Sequence, residues 1–272
     1  MAQTSVELPP EHPGFVDAEY RRRRDEIAGA SAGLEPGHGA APPEVRYTDA
    51  EAALWRTVSS ALAERHRQFA CAEYLHATAA LALPADEVPS LAATSRRLRE
   101  LSGFRLEAVP GLVPTRTFYG ALAERYFLST QYLRHGSVPF YTPEPDIIHE
   151  LVGHACMLAS PLFADLYAAA GRASLRAHTP EALERFSKVF WFTIEFGVVD
   201  EHDEIRAYGA GLLSSYGELE AFRNAERREW NIDEMETRTY DITHFQPVLY
   251  CAGTLEQTAH LLHDYFDAFG QA

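Results

Sequence analysis

Residues 143–154 read Pro143-Glu144-Pro145-Asp146-Ile147-Ile148-His149-Glu150-Leu151-Val152-Gly153-His154. The prolines disfavour helix before residue 146, and Asp146 is a good N-cap. Ile147, Ile148, Leu151, Val152 and Ala155 then supply apolar side chains at helical spacing, so a buried helix starts here with two histidines and a glutamate on it. In the zinc-protease pattern HExxH the imidazoles lie one turn apart on one face. Here they are five residues apart, which on a regular α-helix separates them by about 140°. Both reach one ion only if the helix is locally widened or ends there, and Gly153 lowers the cost of either. Taken alone, the pair leaves capped or solvated histidines open as the alternative.

Downstream, Ser160-Pro161 is an N-cap and first-turn pair for a helix carrying Phe163, Leu166, Tyr167 and Ala170, with Gly171 as its expected stop. Thr179-Pro180 opens another helix that is expected to run to about Glu195. Its last part, Val189 to Val199, is apolar nearly all round, which marks a segment buried on every side. Glu195 in that run has to be neutralised by a proton, by a partner Arg or Lys, or by a metal ion, because an isolated buried carboxylate is very costly. His149, His154 and Glu195 together form a two-histidine, one-carboxylate set. Bound on one face of an octahedral ion, such a set leaves positions open, as in non-haem iron(II) oxygenases. A zinc hydrolase uses the same donor types, but the spacing here differs and Trp191, Phe192 and Phe196 suit an aromatic substrate better than a peptide.

Upstream, Thr48 or Asp49 caps a helix bearing Leu54, Val58, Ala61 and Leu62. Further helices are expected over about 69–82, from Ser90, and from Phe118 to Leu133, with a short strand at 104–107. Arg134 then falls at a helix end. It is either a bidentate clamp for a carboxylate or a surface arginine paired with one of many acids. Residues 136–145, with three prolines, are irregular. Thr254-Leu255-Glu256-Gln257 is a capping box for the final helix. The Gly- and Ser-rich stretch 208–218 lacks the GK[ST] of a phosphate loop. Residues 1–14 are expected to be a flexible N-terminal segment and residues 29–44 an extended connection. The expectation is a mainly α fold, a single helical catalytic domain over 15–272 with a few short β-strands.

The chain has 272 residues, enough for a sizeable core. Asp and Glu outnumber Lys and Arg by 39 to 24, and such a surface repels phosphate backbones and anionic lipids. No nucleic acid and no membrane partner is therefore expected. The three cysteines are far apart with no CxxC pair, which together with the lack of a visible signal sequence gives an expected cytoplasmic location.

PEPDIIHELVGH (143–154), STQYLRHGS (129–137), WFTIEFG (191–197), YGAGLLSSYGELE (208–220) and FRLEAVPGLVPTRTF (104–118) resemble the pterin-dependent aromatic amino acid hydroxylases, as do EHPGFVD (11–17) and FQPVLY (245–250). The resemblance covers nearly the whole chain in order. It implies Fe(2+) held by His149, His154 and Glu195, with tetrahydrobiopterin and O2 as co-substrates. It implies that Arg134 binds the substrate carboxylate with Thr142, Ser214 and backbone near Gly211, while Pro143 and Trp191 wall the ring. Leu112, Val113, Thr115 and Phe118 would line the pterin site, and Glu150 would contact the pterin and support oxygen activation. Trp191, Ile242, Phe196 and Gly211 match enzymes that hydroxylate phenylalanine at position 4 to give tyrosine. Phe190 and Leu128 depart from the animal enzymes. Without the animal regulatory domain and tetramerisation tail, the resemblance implies a monomer. The alternatives are tryptophan hydroxylation on the same scaffold, a zinc hydrolase, or a non-catalytic pterin-binding protein.

Overall fold

The computed structural model describes residues 8–271 except Tyr141 and Thr243. Its core is helical, and most of the longer helices start where the N-cap side chain satisfies free backbone amides, though Ala72–Leu81 and Thr115–Ala123 start without such a cap. Thr48 and Glu51 form a reciprocal capping box for Asp49–Phe69, whose buried face is Trp55, Val58, Leu62 and His66. Ser90 caps Leu91–Ser102, Thr179 caps Pro180–Phe190, and Thr254 with Gln257 boxes the start of Leu255–Ala268. Each fully buried Leu on such a face contributes roughly 1.5–3 kcal/mol.

Strand β1 (Arg105–Ala108) pairs in parallel with β2 (Tyr126–Ser129), Leu106 facing Phe127 in register. Strands β3 (Val198–Glu201) and β4 (Glu204–Ala207) form a hairpin. Its two linking residues, His202 and Asp203, both have positive φ, as the tightest right-twisted hairpin turn requires. With β5 (Glu226–Glu229) and β6 (Val248–Cys251) they make one sheet in the order β4-β3-β6-β5.

Three expectations are corrected. The helix expected over 118–133 is a helix only at Thr115–Ala123. Arg125 turns the chain with φ of 61°, and Tyr126-Phe127-Leu128 enters β2, so Arg134 lies on an irregular segment and not at a helix end. A short aromatic run fits both periods, and the open edge of β1 decides between them. Gly171 does not stop its helix, which continues over Pro161–Ser174. It lies where that helix crosses Thr115–Ala123, and a Cβ there would sit 2.2 Å from the Ala123 nitrogen. The N-terminal segment is not loose up to residue 14. Leu8 and His12 are buried and Pro13–Val16 is helical, while residues 1–7 lie outside the described residues. Among the described residues no single helix is long and apolar enough to cross a membrane.

Gly171→Ala is expected to lower unfolding stability by about 2–3 kcal/mol, because a backbone neighbour cannot yield as a side chain can. Urea unfolding of both proteins measures it, and a midpoint equal to wild type would show that the crossing can open without cost.

Candidate active site

Asp146 fixes the first half of the site. Its Oδ1 accepts the His149 amide at 3.1 Å, capping the helix that carries both histidines. The same carboxylate receives Arg134 Nε at 2.9 Å, Nη2 at 2.8 Å and the Arg134 backbone amide at 2.9 Å. Burial alone would raise the Asp146 carboxyl, but the Arg134 guanidinium and these hydrogen bonds bring it below its ordinary value. Arg134 is thus paired with an acid, as one sequence alternative held, but in the interior and at the cavity wall.

The helix widens where the histidine spacing demands it. His149–Ala155 is π-helical, and its i→i+5 pattern brings residues five apart onto one side. Gly153 passes the next element closely, since a Cβ there would meet the Ala210 carbonyl at 2.8 Å. A second π-turn over Trp191–Glu195, closed by Phe196 N–H to Trp191 O at 3.0 Å, ends the apolar helix; no sequence expectation covered it.

These turns aim three donors at one another. The Nε2 atoms of His149 and His154 are 3.0 Å apart. Glu195 Oε1 is 3.3 Å from His154 Nε2, and Oε2 is 4.0 Å from His149 Nε2. The far nitrogens are occupied: His149 Nδ1 meets Ser214 Oγ and His154 Nδ1 meets Tyr167 Oη, each at 2.7 Å. Ser214 Oγ donates its own proton to the Ala210 carbonyl at 2.8 Å, so it accepts from His149, which leaves Nε2 with its lone pair. Burial pushes Glu195 up to about 8, opposed by the Gly211 amide, and holds His149 down to about 4. It also places His154 well below its ordinary value. Two imidazole lone pairs and a carboxylate converging in an apolar interior fit a divalent cation, which favours the ionised acid and the neutral rings together. Glu150 offers a further oxygen near the two rings, with donor atoms within 4.8 Å of one another, but its Oε1 already receives the Thr130 amide at 3.2 Å and hydroxyl at 3.3 Å. Burial likewise pushes Glu150 up to about 8.

The donors face a cavity of about 570 Å³. The expected binding residues line it: Leu112, Val113, Thr115, Phe118, Arg134, Thr142, Pro143, Trp191, Gly211 and Ser214. Phe192, expected beside Trp191 at the substrate, does not line it and instead packs inward against Tyr250 and Met235. Phe118 stands edge-on to Phe127 and Phe190 at 5.8 and 6.2 Å. Two details differ from expectation. Ser214 turns its hydroxyl to His149, and the Gly211 amide serves Glu195, so both act on the metal donors in this structure.

Sequence reasoning missed the second support of Trp191. Tyr240 stacks on its indole at 4.3 Å and 11°, and Phe196 closes the other flank at 4.5 Å. Trp191 Nε1 donates to Gln246 Oε1 at 3.0 Å, and the Gln246 amide donates to buried Glu218 at 2.6 Å. An aromatic residue in the polar stretch 237–244 was the available signal for Tyr240.

A family model described as biopterin-dependent aromatic amino acid hydroxylase matches residues 1–271. A Streptomyces coeruleorubidus protein named phenylalanine 3-hydroxylase is 48% identical, over 94% of this chain and 91% of its own. Bovine phenylalanine-4-hydroxylase is 39% identical over 96% of this chain, which spans 58% of the bovine length. A crystal structure of Chromobacterium violaceum phenylalanine hydroxylase with iron(III) and 7,8-dihydrobiopterin superposes with a TM-score of 0.78 at 28% identity, covering 91% of this chain and 96% of that one.

Burial raises Glu218 to about 7 from an ordinary value of 4.5. Its contribution to stability is therefore complete below pH 4.5 and is lost as pH rises through 7, on the order of 3 kcal/mol in all. In urea titrations at pH 5 and pH 8, Glu218→Gln is expected to remove that loss. The same pH dependence in the variant would assign it to other groups.

Proposed function

This chain belongs to the biopterin-dependent aromatic amino acid hydroxylases, and we propose that it is an iron(II)- and tetrahydrobiopterin-dependent monooxygenase that uses O2 to hydroxylate L-phenylalanine, at ring position 4. The observation that carries this reading is the convergence of His149, His154 and Glu195 at one wall of an aromatic-lined cavity. The iron relative and the family description support the same cofactor pair. Bound iron and reduced pterin supply the electrons and the oxygen chemistry that protein side chains lack.

The residues of the chain bind, orient and exclude water. Arg134 keeps one edge on Asp146 and has Nη1 turned elsewhere, 3.4 Å from the Pro139 carbonyl. Because Asp146 fixes the guanidinium in place, Arg134 can receive a substrate carboxylate with little further ordering. Trp191, held by Gln246 and Tyr240, and Pro143 form the walls for the aromatic ring. Thr142 donates its hydroxyl to the Glu144 carbonyl at 2.9 Å, which shapes the loop beside Arg134. Leu112, Val113, Thr115 and Phe118 line the cavity where the pterin would bind, and Glu150 lies beside the two histidines. A dry, pre-positioned ring is what an electrophilic aromatic oxidation requires.

Attack at position 4 is supported by Phe196 and Gly211. A Cβ on Gly211 would lie 2.7 Å from Phe196 Cζ, so the absence of a side chain lets the Phe196 ring complete the wall beside Trp191. The second reading is hydroxylation at position 3, favoured by the name of the Streptomyces relative. The net acidic charge and the separated cysteines support a chain that works as a monomer in the cytoplasm, without nucleic acid or membrane.

Incubation of the iron-loaded protein with L-phenylalanine, tetrahydrobiopterin and O2 is expected to give para-tyrosine. Meta-tyrosine would select the second reading, and hydroxytryptophan formed faster from tryptophan would reject phenylalanine as the substrate. Glu195→Ala is expected to weaken iron binding at least ~100-fold and to abolish turnover, read by iron content and product. Retained iron and activity would remove Glu195 from the site. Arg134→Lys replaces a fork with a point charge and is expected to raise KM for phenylalanine about 10- to 100-fold, measured by steady-state kinetics.

A further inference from the structure

The roles above leave one buried hydroxyl beside the metal donors without a function. Tyr167 lies on the Pro161–Ser174 helix, has no exposed surface and is not part of the cavity lining. Its Oη is 2.7 Å from His154 Nδ1 and 3.5 Å from Met157 Sδ. The Tyr167 and His154 rings stand at 88°, and the phenol oxygen meets the imidazole at its Nδ1 atom.

A neutral imidazole carries one proton, and only the nitrogen without it can ligate a metal. If the phenol donated to Nδ1, the ring proton would sit on Nε2, which faces His149 Nε2 and Glu195. If Nδ1–H donates to the phenol oxygen, Nε2 keeps its lone pair. The phenol proton then needs its own acceptor. Met157 supplies it, because a thioether sulfur has no hydrogen to give and can only accept. His149 is treated in parallel by Ser214, whose proton goes to the Ala210 carbonyl.

We propose that Tyr167 is a positioning residue of the metal centre: its phenol oxygen accepts the Nδ1 proton of His154 while its own proton points to Met157, which fixes the ligating tautomer and the ring direction. Phe127, tilted 34° against the imidazole at 4.6 Å, and Phe104 and Phe190, each near the Tyr167 ring, hold the assembly without polar contacts. The proposal rests on the metal site of the preceding section. Partners of ligating histidines of this kind typically govern metal affinity by about 10- to 100-fold.

Tyr167→Phe keeps the ring and removes the oxygen. Metal-stripped full-length wild type and variant are titrated with cobalt(II), followed by its visible absorption, and KM for phenylalanine is measured on the iron-loaded forms. The variant is expected to bind cobalt(II) about 10- to 100-fold more weakly, with KM unchanged because Tyr167 does not reach the cavity. Equal cobalt(II) affinity would overturn the role of Tyr167. Failure of the wild type to bind cobalt(II) would instead overturn the metal site itself. If the variant does not fold, the histidine ¹⁵N spectrum of the metal-stripped wild type decides. A His154 proton on Nδ1 supports the proposal, and one on Nε2 overturns it.

Discussion

A carboxylate in an apolar interior is the constraint on which this structure turns. Glu195 follows Phe192 and Ile194 on a segment buried from both sides, and no arginine or lysine pairs with it among the described residues. Its two oxygens face two imidazole nitrogens whose outer sides are already hydrogen-bonded. Three polar side chains are therefore arranged around one point, and a divalent cation there removes the electrostatic cost of bringing them together.

Much of the surrounding fold serves that point. The two π-turns would be poor choices for helical stability alone, since widened turns pack and hydrogen-bond less well. They lie where a regular helix would direct His154 and Glu195 away from His149. Asp146 joins the two functions of the site with one side chain. It starts the helix that carries the metal donors and holds the Arg134 guanidinium at the cavity wall. Gly153 lets Ala210 approach that helix closely, and Gly171 lets Pro161–Ser174 cross Thr115–Ala123.

The cavity has a different logic on its outer side. Leu112, Phe140, Ile242 and Phe245 line the cavity and are all at least a third exposed, which puts them toward its solvent side. Apolar groups at a mouth cost little when a flat aromatic substrate or cofactor covers them, and they leave the inner donors dry. The hold on Trp191 passes through Gln246 to Glu218, so the polar links that position the wall lie behind the aromatic surface and not in it.

The helix starts were legible from caps: Thr48, Ser90, Ser160, Thr179 and Thr254 all sit where their side chains were expected to bind backbone amides. The donor set was legible because a charged residue in an apolar run and an odd histidine spacing are both local anomalies with few physical resolutions. Tyr126–Ser129 was not legible, because a short aromatic run becomes strand only when a partner edge is available. The crossing at Gly171, the stack of Tyr240 on Trp191 and the Tyr167 contact to His154 are made between separate elements; the aromatic in the polar stretch 237–244 marked Tyr240 but not its partner. Composition, capping and patterning therefore determined which side chains had to be buried together and with what charge. Only tertiary packing decided which oxygen and which nitrogen meet, because hydrogen-bond direction is set by the crossing of whole elements and not by the order of residues along them.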